Sequence, residues 1–453
     1  MRRNTLKAFL ALGDYIVMFA SLSLILYIRY GNEGDTMRFD QHLGPFTIIF
    51  AIWIVIFYIL ELYDINAPFN HRNFLYAMLS NVALSSMLFY TFDSIVDISP
   101  RRNLALVTAV FVVLFYLWRL AFSRLVDTIG WHRAVAIIGS DDHSIELARK
   151  IESKRRQGFR VAVIVREPTT ELPRWLHESA IRIIDSVSEL KQLVRERHIH
   201  TVVISDRWYY AVYNDLYDLI PFRLKFFQLS GFWERFDESI PIYATRETWF
   251  LENLNRGPSK GYHIIKRAAA LITTIALLPL FIPLGLLTAL AVRISSPGKA
   301  LFSQTRIGRN DQPFTLYKFR SMYIDAEKHG AQWAQERDPR VTPVGRFIRA
   351  TRLDEIPQII NVLKGEMSFI GPRPERPEFV TTLSKNIPHY HLRHLVKPGL
   401  TGWAQVKYRY GASEEDAATK LTYDLYYVKN VSLVLDVKII LKTIMTILGG
   451  RGR

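Results

Sequence analysis

Five predominantly apolar stretches, at residues 6–30, 46–62, 74–92, 104–126 and 264–292, decide what this chain can fold into. The first four each approach the ~20 residues a helix needs to cross a bilayer, so they predict a bundle of transmembrane helices. No small-residue cleavage site follows Tyr30, and further apolar stretches do, which argues against a removable leader. Arg2, Arg3 and Lys7 precede the first stretch, whereas Glu33, Asp35 and Asp40 outnumber Arg38 after it. The positive-inside rule therefore puts the N-terminus in the cytoplasm. Four crossings bring the chain back there at Arg124, His132 and Arg133, although Arg101 and Arg102 then lie outside. Asp14, within the first stretch, is open to two readings: a functional intramembrane carboxylate, or a group that reaches the interface or pairs within the bundle.

The fifth stretch differs. Lys260, Lys266 and Arg267 stand before it and Arg293 and Lys299 after it, so both ends favour the cytoplasmic face. Pro279 and Pro283 each remove a backbone donor and crowd the preceding turn, which predicts a sharp break near the middle. A re-entrant helix-break-helix hairpin over 264–292 satisfies both features, and a proline-kinked span is the alternative.

A length of 453 residues suggests about three units, divided here at 1–130, 131–256 and 257–453. In the middle segment, apolar runs at 134–139, 161–166, 181–185 and 201–205 alternate with helical patterns, which predicts a Rossmann-like parallel α/β module. Its first turn holds a single glycine, Gly139, where a dinucleotide fingerprint needs three. A degenerate module that regulates or dimerises the protein is therefore expected. The chain contains no cysteine, which excludes disulfides, zinc ribbons and thiol nucleophiles. Its formal charge of +16 suits nucleic acid, an anionic membrane or phosphorylated substrates. Lys and Arg gather around membrane segments and a carboxylate pair rather than along a continuous stripe, which argues against nucleic acid.

Past Pro297 the sequence becomes basic and rich in short motifs. Tyr317-Lys318-Phe319-Arg320 alternates aromatics with cations on a predicted strand. Asp354 and Glu355 precede Pro357, and Gly365 closes the apolar run after it, so the two carboxylates fall at the start of a short helix. Anions are favoured there, and adjacent carboxylates diverge enough for one to attack while the other holds a hard cation such as Mg²⁺. Plain helix capping is the alternative. Gly371-Pro372-Arg373-Pro374-Glu375 fixes the backbone around Arg373, whose guanidinium suits phosphate or diphosphate, and Arg349 offers a second clamp. Trp403 and its neighbouring glycines either line a nucleotide or headgroup site or pack in a core. Residues 431–448 read as a helix against the membrane surface or the hairpin, or as a core helix.

Several phrases occur in order: SSPGKALFSQTRIG, YKFRSM, DPRVTPVGRFIRATRLDEIPQIINVLKGEMSFIGPRPE and VKPGLTGWAQV. On these the C-terminal region resembles the bacterial sugar transferases called monotopic phosphoglycosyl transferases, or polyisoprenyl-phosphate hexose-1-phosphate transferases. The four spans and α/β module are similar to the N-terminal part of the larger members, which prime exopolysaccharide, capsule or O-antigen synthesis. The fold implied is a membrane protein: a four-helix transmembrane bundle, a cytoplasmic Rossmann-like α/β module, then a re-entrant helix with a mainly helical α/β catalytic domain.

The resemblance implies that Asp354 is the nucleophile and that Glu355, with Asp354 beside it, binds Mg²⁺. It makes Arg349 and Arg373 phosphate contacts, places Lys318 and Arg320 in a motif lining the same site, and aligns Pro283 with the proline that breaks the family's re-entrant helix. The serine common before that proline is Ile282 here, and Pro279 adds a second break. The implied reaction passes a hexose-1-phosphate, of glucose or galactose, from a UDP-sugar to undecaprenyl phosphate through an aspartyl intermediate. Implied surroundings are the bacterial inner membrane, lipid contacts, a cytoplasmic active site and a homodimer. A single-displacement transferase and a non-catalytic receptor or scaffold are the rivals.

Overall fold

The computed structural model describes residues 3–31, 36–60, 62–63, 71–91, 100–128, 133–154, 158–167, 170–208, 212–254, 257–326, 328, 338–408, 411 and 413–448. Arg2, Glu33, Asp35 and His132, named above, and residue 92 at the end of the third apolar stretch lie outside the described residues. The chain divides into two compact units, Met1–Phe227 and Gln228–Arg453.

Each of the first four apolar stretches is a helix: α1 (Arg3–Tyr30), α2 (Thr36–Ile59), α3 (His71–Thr91) and α4 (Pro100–Thr128). Among the described residues, α1 over Leu6–Arg29 and α4 over Asn103–Leu125 are long and apolar enough to cross a membrane. The apolar run of α2, His42–Tyr58, is shorter, and α3, diluted by Asn81, Ser85 and Ser86, does not reach that length and hydropathy. Phe46, Phe50, Trp53, Phe57, Phe111 and Phe115 fill the space between the helices. Asp14 is fully buried and pairs across α1 and α4 with Arg119, Nη2 to Oδ2 2.6 Å. Arg119 also donates to the Leu62 carbonyl at 2.7 Å and lies 4.6 Å over the Phe115 ring. Of the two readings of Asp14, the structure takes pairing within the bundle.

The α/β module runs β1 (Arg133–Ile138), α5 (Asp142–Ser153), β2 (Phe159–Val165), α6 (Arg174–His177), β3 (Arg182–Ile184), α7 (Val187–Glu196), β4 (Ile199–Ile204), α8 (Tyr213–Tyr217) and β5 (Lys225–Gln228). The sheet order is β3-β2-β1-β4-β5, and β1 pairs in parallel with both β2 and β4. Val135 to Ile138 are wholly buried without alternation, as a central strand covered on both faces requires. At the N-terminus of α5, where a dinucleotide fold seats its pyrophosphate, the Asp141 carboxylate accepts from the backbone of His143 (3.1 Å) and Ser144 (3.0 Å). Ser205 Oγ donates to the same carboxylate. Gly139 has φ +115°, and a Cβ there would stand 2.6 Å from Ser205 Cβ, so this glycine serves a tight turn.

The second unit contains α9 (Leu229–Asp237), α10 (Glu247–Leu254), α11 (Lys260–Ser295), β6 (Leu301–Ile307), β7 (Pro313–Phe319), α12 (Pro343–Ala350), a 3₁₀ segment (Leu353–Gln358), α13 (Ile359–Lys364), β8 (Ser368–Ile370), α14 (Pro377–Asn386), β9 (Gly399–Thr401), α15 (Trp403–Lys407), α16 (Glu414–Lys429) and α17 (Leu433–Leu448). Residues 229–254, assigned above to the α/β module, belong here instead. Ile240, Ile242, Trp249 and Phe250 share a core with Leu383, Tyr390, Leu421 and Leu425, and Ile240 N donates to the Thr422 carbonyl at 3.0 Å. Their apolar side chains find their cover on α14 and α16, which no local pattern announces.

Helix α11 stays helical through Pro279 and Pro283 and is a single element of 36 residues, so the expected division into two separate helices is absent. The prolines stand four apart and exposed, among lipid-like exposed residues such as Leu280, Ile282, Leu286 and Leu287. Both halves of the helix pack on strand β7: Ala270 in a cluster with Leu316, Val292 in one with Phe319.

Candidate active site

The hairpin of β6 and β7 pairs Phe302 with Lys318 and Arg306 with Phe314. Asn361, fully buried on α13, welds this hairpin to the segment bearing the carboxylates: its Nδ2 donates to the Thr315 carbonyl (2.6 Å) and its Oδ1 accepts from Tyr317 N (3.2 Å). Before the carboxylates, α12 is capped by Thr342 and passes so close to Ser321 that a Cβ on Gly345 would sit 1.9 Å from the Ser321 carbonyl oxygen. Arg352 then takes a left-handed conformation (φ +61°), reversing the chain into the 3₁₀ segment. Pro357 tolerates this tighter geometry, and Gly365 (φ +81°) ends α13 as its position predicts.

Both carboxylates are buried: Asp354 is 7% exposed and Glu355 8%. Three cations converge on Glu355 Oε1: Arg373 Nη2 at 2.9 Å, Arg352 Nη1 at 3.3 Å and Lys318 Nζ at 3.9 Å. Asp354, one residue earlier, has no hydrogen-bond or ion-pair partner among the described residues, and its Oδ1 is buried. Burial, then the neighbouring Glu355 charge, push the Asp354 carboxyl above its ordinary range, against the pull of Lys318, Arg373 and Arg352. Burial works to raise Glu355 as well, but Arg373, Lys318 and Arg352 outweigh it and hold that carboxyl at about 2. Burial, then the Arg373 charge, bring Lys318 down to about 8. One carboxylate is thus fixed and neutralised while its neighbour is desolvated and uncommitted, the division of labour a nucleophile beside an anchor requires.

Of the residues singled out in the sequence, the structure brings Asp354, Glu355, Lys318 and Arg373 together. Arg349 ends α12 half-buried, with no side-chain partner among the described residues. Arg320 is turned elsewhere: it donates to the carbonyls of Ser296 (2.8 Å) and Pro297 (2.7 Å), closing the C-terminal end of α11. Arg352, not singled out in the sequence, also reaches Glu355; nothing local signals its left-handed turn. Trp403 is wholly buried, donates to the Glu238 carbonyl at 3.0 Å, and lies beneath Lys407 and Lys438, so it packs a core rather than lining the site. Helix α17 docks on α11 and α16: Asp436 meets Lys266 (3.1 Å) and the hydroxyls of Tyr262 and Tyr427 (2.7 Å each).

A hard divalent cation would find two carboxylates here, Asp354 and Glu355; among the described residues no group of three or more His, Asp or Glu side chains is placed to hold a metal ion. Such ions take one or two carboxylates and complete their shell with water and substrate phosphates. Asp354 Oδ1 is a buried acceptor without a hydrogen-bond partner among the described residues, and Glu355 turns its Oε1 toward the three cations.

The unit thus combines a buried carboxylate pair ringed by cations with a helix long and apolar enough to cross a membrane. The family model for bacterial sugar transferases matches residues 261–450. The UDP-N-acetylgalactosamine-undecaprenyl-phosphate N-acetylgalactosaminephosphotransferase of Aeromonas hydrophila is 45% identical over 254 residues, covering 52% of this chain and 60% of that protein. The undecaprenyl-phosphate glucose phosphotransferase of Komagataeibacter xylinus is 33% identical over 329 residues, 69% of this chain and 58% of that protein. The exopolysaccharide production protein PSS of Rhizobium leguminosarum bv. phaseoli is 38% identical over 189 residues, 40% of this chain and 94% of that protein. The chain belongs to the bacterial sugar transferase family. It spans about three-fifths of the first two relatives.

Proposed function

We propose that this protein transfers a hexose-1-phosphate from a UDP-sugar to undecaprenyl phosphate, as the first membrane step of exopolysaccharide, capsule or O-antigen synthesis. The observation that carries this reading is the unequal pair: Asp354, buried without a hydrogen-bond or ion-pair partner among the described residues, beside Glu355 held by Arg373, Arg352 and Lys318. In the first step an Asp354 carboxylate oxygen attacks the sugar-bearing phosphorus. The bond from that phosphorus to the bridging oxygen breaks, and UMP leaves with the electron pair. In the second, a phosphate oxygen of the lipid carrier attacks the same phosphorus and breaks the bond to Asp354, restoring the carboxylate and yielding undecaprenyl-diphosphate-sugar. Arg373 and Lys318 offset phosphoryl charge in both steps, and Arg349, at the end of α12 and without a side-chain partner among the described residues, is a further phosphate contact. Glu355 and Asp354 would hold Mg²⁺, which supplies charge neutralisation to the diphosphate when bound.

The reading places the active site at the cytoplasmic face of the bacterial inner membrane. Helix α11 enters and leaves one leaflet, bent at Pro279 and Pro283; the cations at both its ends and the packing of both halves on β7 support this. Arg320, locking the residues after α11, sets the angle at which the helix leaves the soluble fold. The names of the relatives include both glucose and N-acetylgalactosamine, so the donor is a UDP-hexose with or without an acetamido group. A dimer through the α/β module remains part of this reading. The test is UMP release from a panel of UDP-hexoses in nanodiscs with and without Mg²⁺ and undecaprenyl phosphate, with trapping of a phosphosugar on Asp354. Release without a trapped adduct favours single displacement, and no release from any donor favours the receptor reading.

A further inference from the structure

The segment that presents Arg373 is neither helix nor strand, and two of its five residues are prolines. Its backbone is nonetheless held at almost every acceptor. The Ile370 carbonyl accepts from Lys266 Nζ (3.0 Å), that of Pro372 from Gly399 N (3.0 Å), and that of Arg373 from Arg393 Nη2 (2.9 Å). The Pro374 carbonyl accepts from Arg306 Nη1 (3.2 Å) and that of Glu375 from Ile307 N (2.9 Å). Backbone packs directly on backbone alongside: a Cβ on Gly399 would stand 2.1 Å from Gly371 N, and one on Gly402 2.2 Å from Gly371 O. Glycine is obligatory at these approaches.

Arg393 is the most deeply committed of these donors. It is 5% exposed and all three guanidinium nitrogens are used. Nε and Nη2 donate to Asp424 Oδ2 at 3.0 and 2.8 Å, Nη1 donates to the Tyr390 hydroxyl at 2.8 Å, and Nη2 also reaches the Arg373 carbonyl. Asp424 is itself 1% exposed, so the pair is a buried charge couple whose geometry is fixed on both sides. A planar fork can join a carboxylate and a carbonyl at once, which an ammonium cannot reproduce. Burying such a pair is costly unless every group is satisfied, and here the satisfied group of interest is the backbone of Arg373.

We infer that Arg393, oriented by Asp424 and Tyr390, is a positioning residue for the transfer reaction: it holds the Arg373 backbone so that the Arg373 side chain meets Glu355 and the phosphoryl group. Arg393 touches neither carboxylate and acts through Arg373. The inference rests on the reaction proposed above. Misplacing a phosphate clamp by about 1 Å costs on the order of 100-fold in rate, and a contact used only in the transition state lowers kcat without raising KM.

The test is a double-mutant cycle on the full chain in nanodiscs, measuring kcat, KM for the UDP-sugar and thermal unfolding of Arg393→Lys, Arg373→Lys and the double variant. Expected is a fall in kcat of about 10- to 100-fold for Arg393→Lys with KM within about twofold, and no further fall when it is added to Arg373→Lys. Should Arg393→Lys not fold, Tyr390→Phe removes a single acceptor from Arg393; its smaller loss must likewise vanish in the Arg373→Lys background. Independent, multiplying losses at 393 and 373, or a rise in KM with kcat unchanged, would overturn the inference while leaving the reaction intact. A wild-type protein that releases no UMP from any donor removes the proposed reaction and this inference with it.

Discussion

Two buried aspartates in this molecule meet opposite fates. In the helical bundle, Asp14 is paired with Arg119, whose guanidinium is itself tied to the Leu62 carbonyl and packed on Phe115. In the C-terminal unit, Asp354 is also buried and has no hydrogen-bond or ion-pair partner among the described residues, while the cations gather on Glu355 beside it. A paired carboxylate holds helices together. A desolvated carboxylate next to a neutralised one stores reactivity, because the protein has paid to remove its water without replacing it. Burial alone therefore does not separate structural from chemical acids, and the partner list does.

The largest effect that sharpens this contrast is at the unpartnered acid. Asp354→Asn removes the nucleophile and is expected to lower UMP release at least about 1,000-fold with little change in melting temperature, since no bond is lost. Activity retained in that variant would return Asp354 to the structural class. Glu355→Gln leaves Arg373, Arg352 and Lys318 facing one another without their counter-charge. A loss of about 100-fold is expected, together with a higher Mg²⁺ concentration for half-maximal rate, read from a metal titration.

For the paired acid the order inverts. Asp14→Asn strands the Arg119 charge, which costs about 3–5 kcal/mol, whereas Asp14→Leu with Arg119→Met recovers most of that loss. Thermal unfolding in detergent reads both, and turnover of the folded protein should stay near wild type. The smallest effect concerns a buried base. Burial, then the Arg393 charge, depress His394 from 6.5 to about 4, against the attraction of Asp311 at 2.5 Å. The folded state then binds fewer protons than the unfolded state between those values, so stability present above pH 6.5 is lost as pH falls toward 4, by at most about 3 kcal/mol. Melting temperatures at pH 7 and pH 5 should differ more for the wild type than for His394→Gln.

Local chemistry was legible in the sequence. The apolar lengths foretold α1 to α4 and α11, unbroken Val and Ile runs foretold the parallel sheet, and proline and glycine bracketed the short helix that follows the carboxylates. What stayed hidden depends on partners far along the chain. Arg320 alternates with aromatics just as Lys318 does, yet one guanidinium closes α11 and one ammonium faces Glu355, a difference set by which residues the fold brings opposite β7. Residues 229–254 looked like the tail of the α/β module because their apolar side chains carry no label for the core they enter. Prolines remove a donor with certainty, but neighbouring packing decides whether a helix ends, and α11 continues through both.

The clasp around Arg373 has a consequence for the order in which the protein becomes competent during synthesis. Arg393 and Asp424 are translated after both carboxylates, and Asp424 lies on α16. A ribosome stalled before α16 holds a nascent chain that already contains Asp354 and Glu355, but whose Arg393 has no counter-charge and whose Arg373 backbone lacks its anchor. On the positioning inferred for Arg393, such a chain carries both carboxylates without the clasp that aims Arg373 at them.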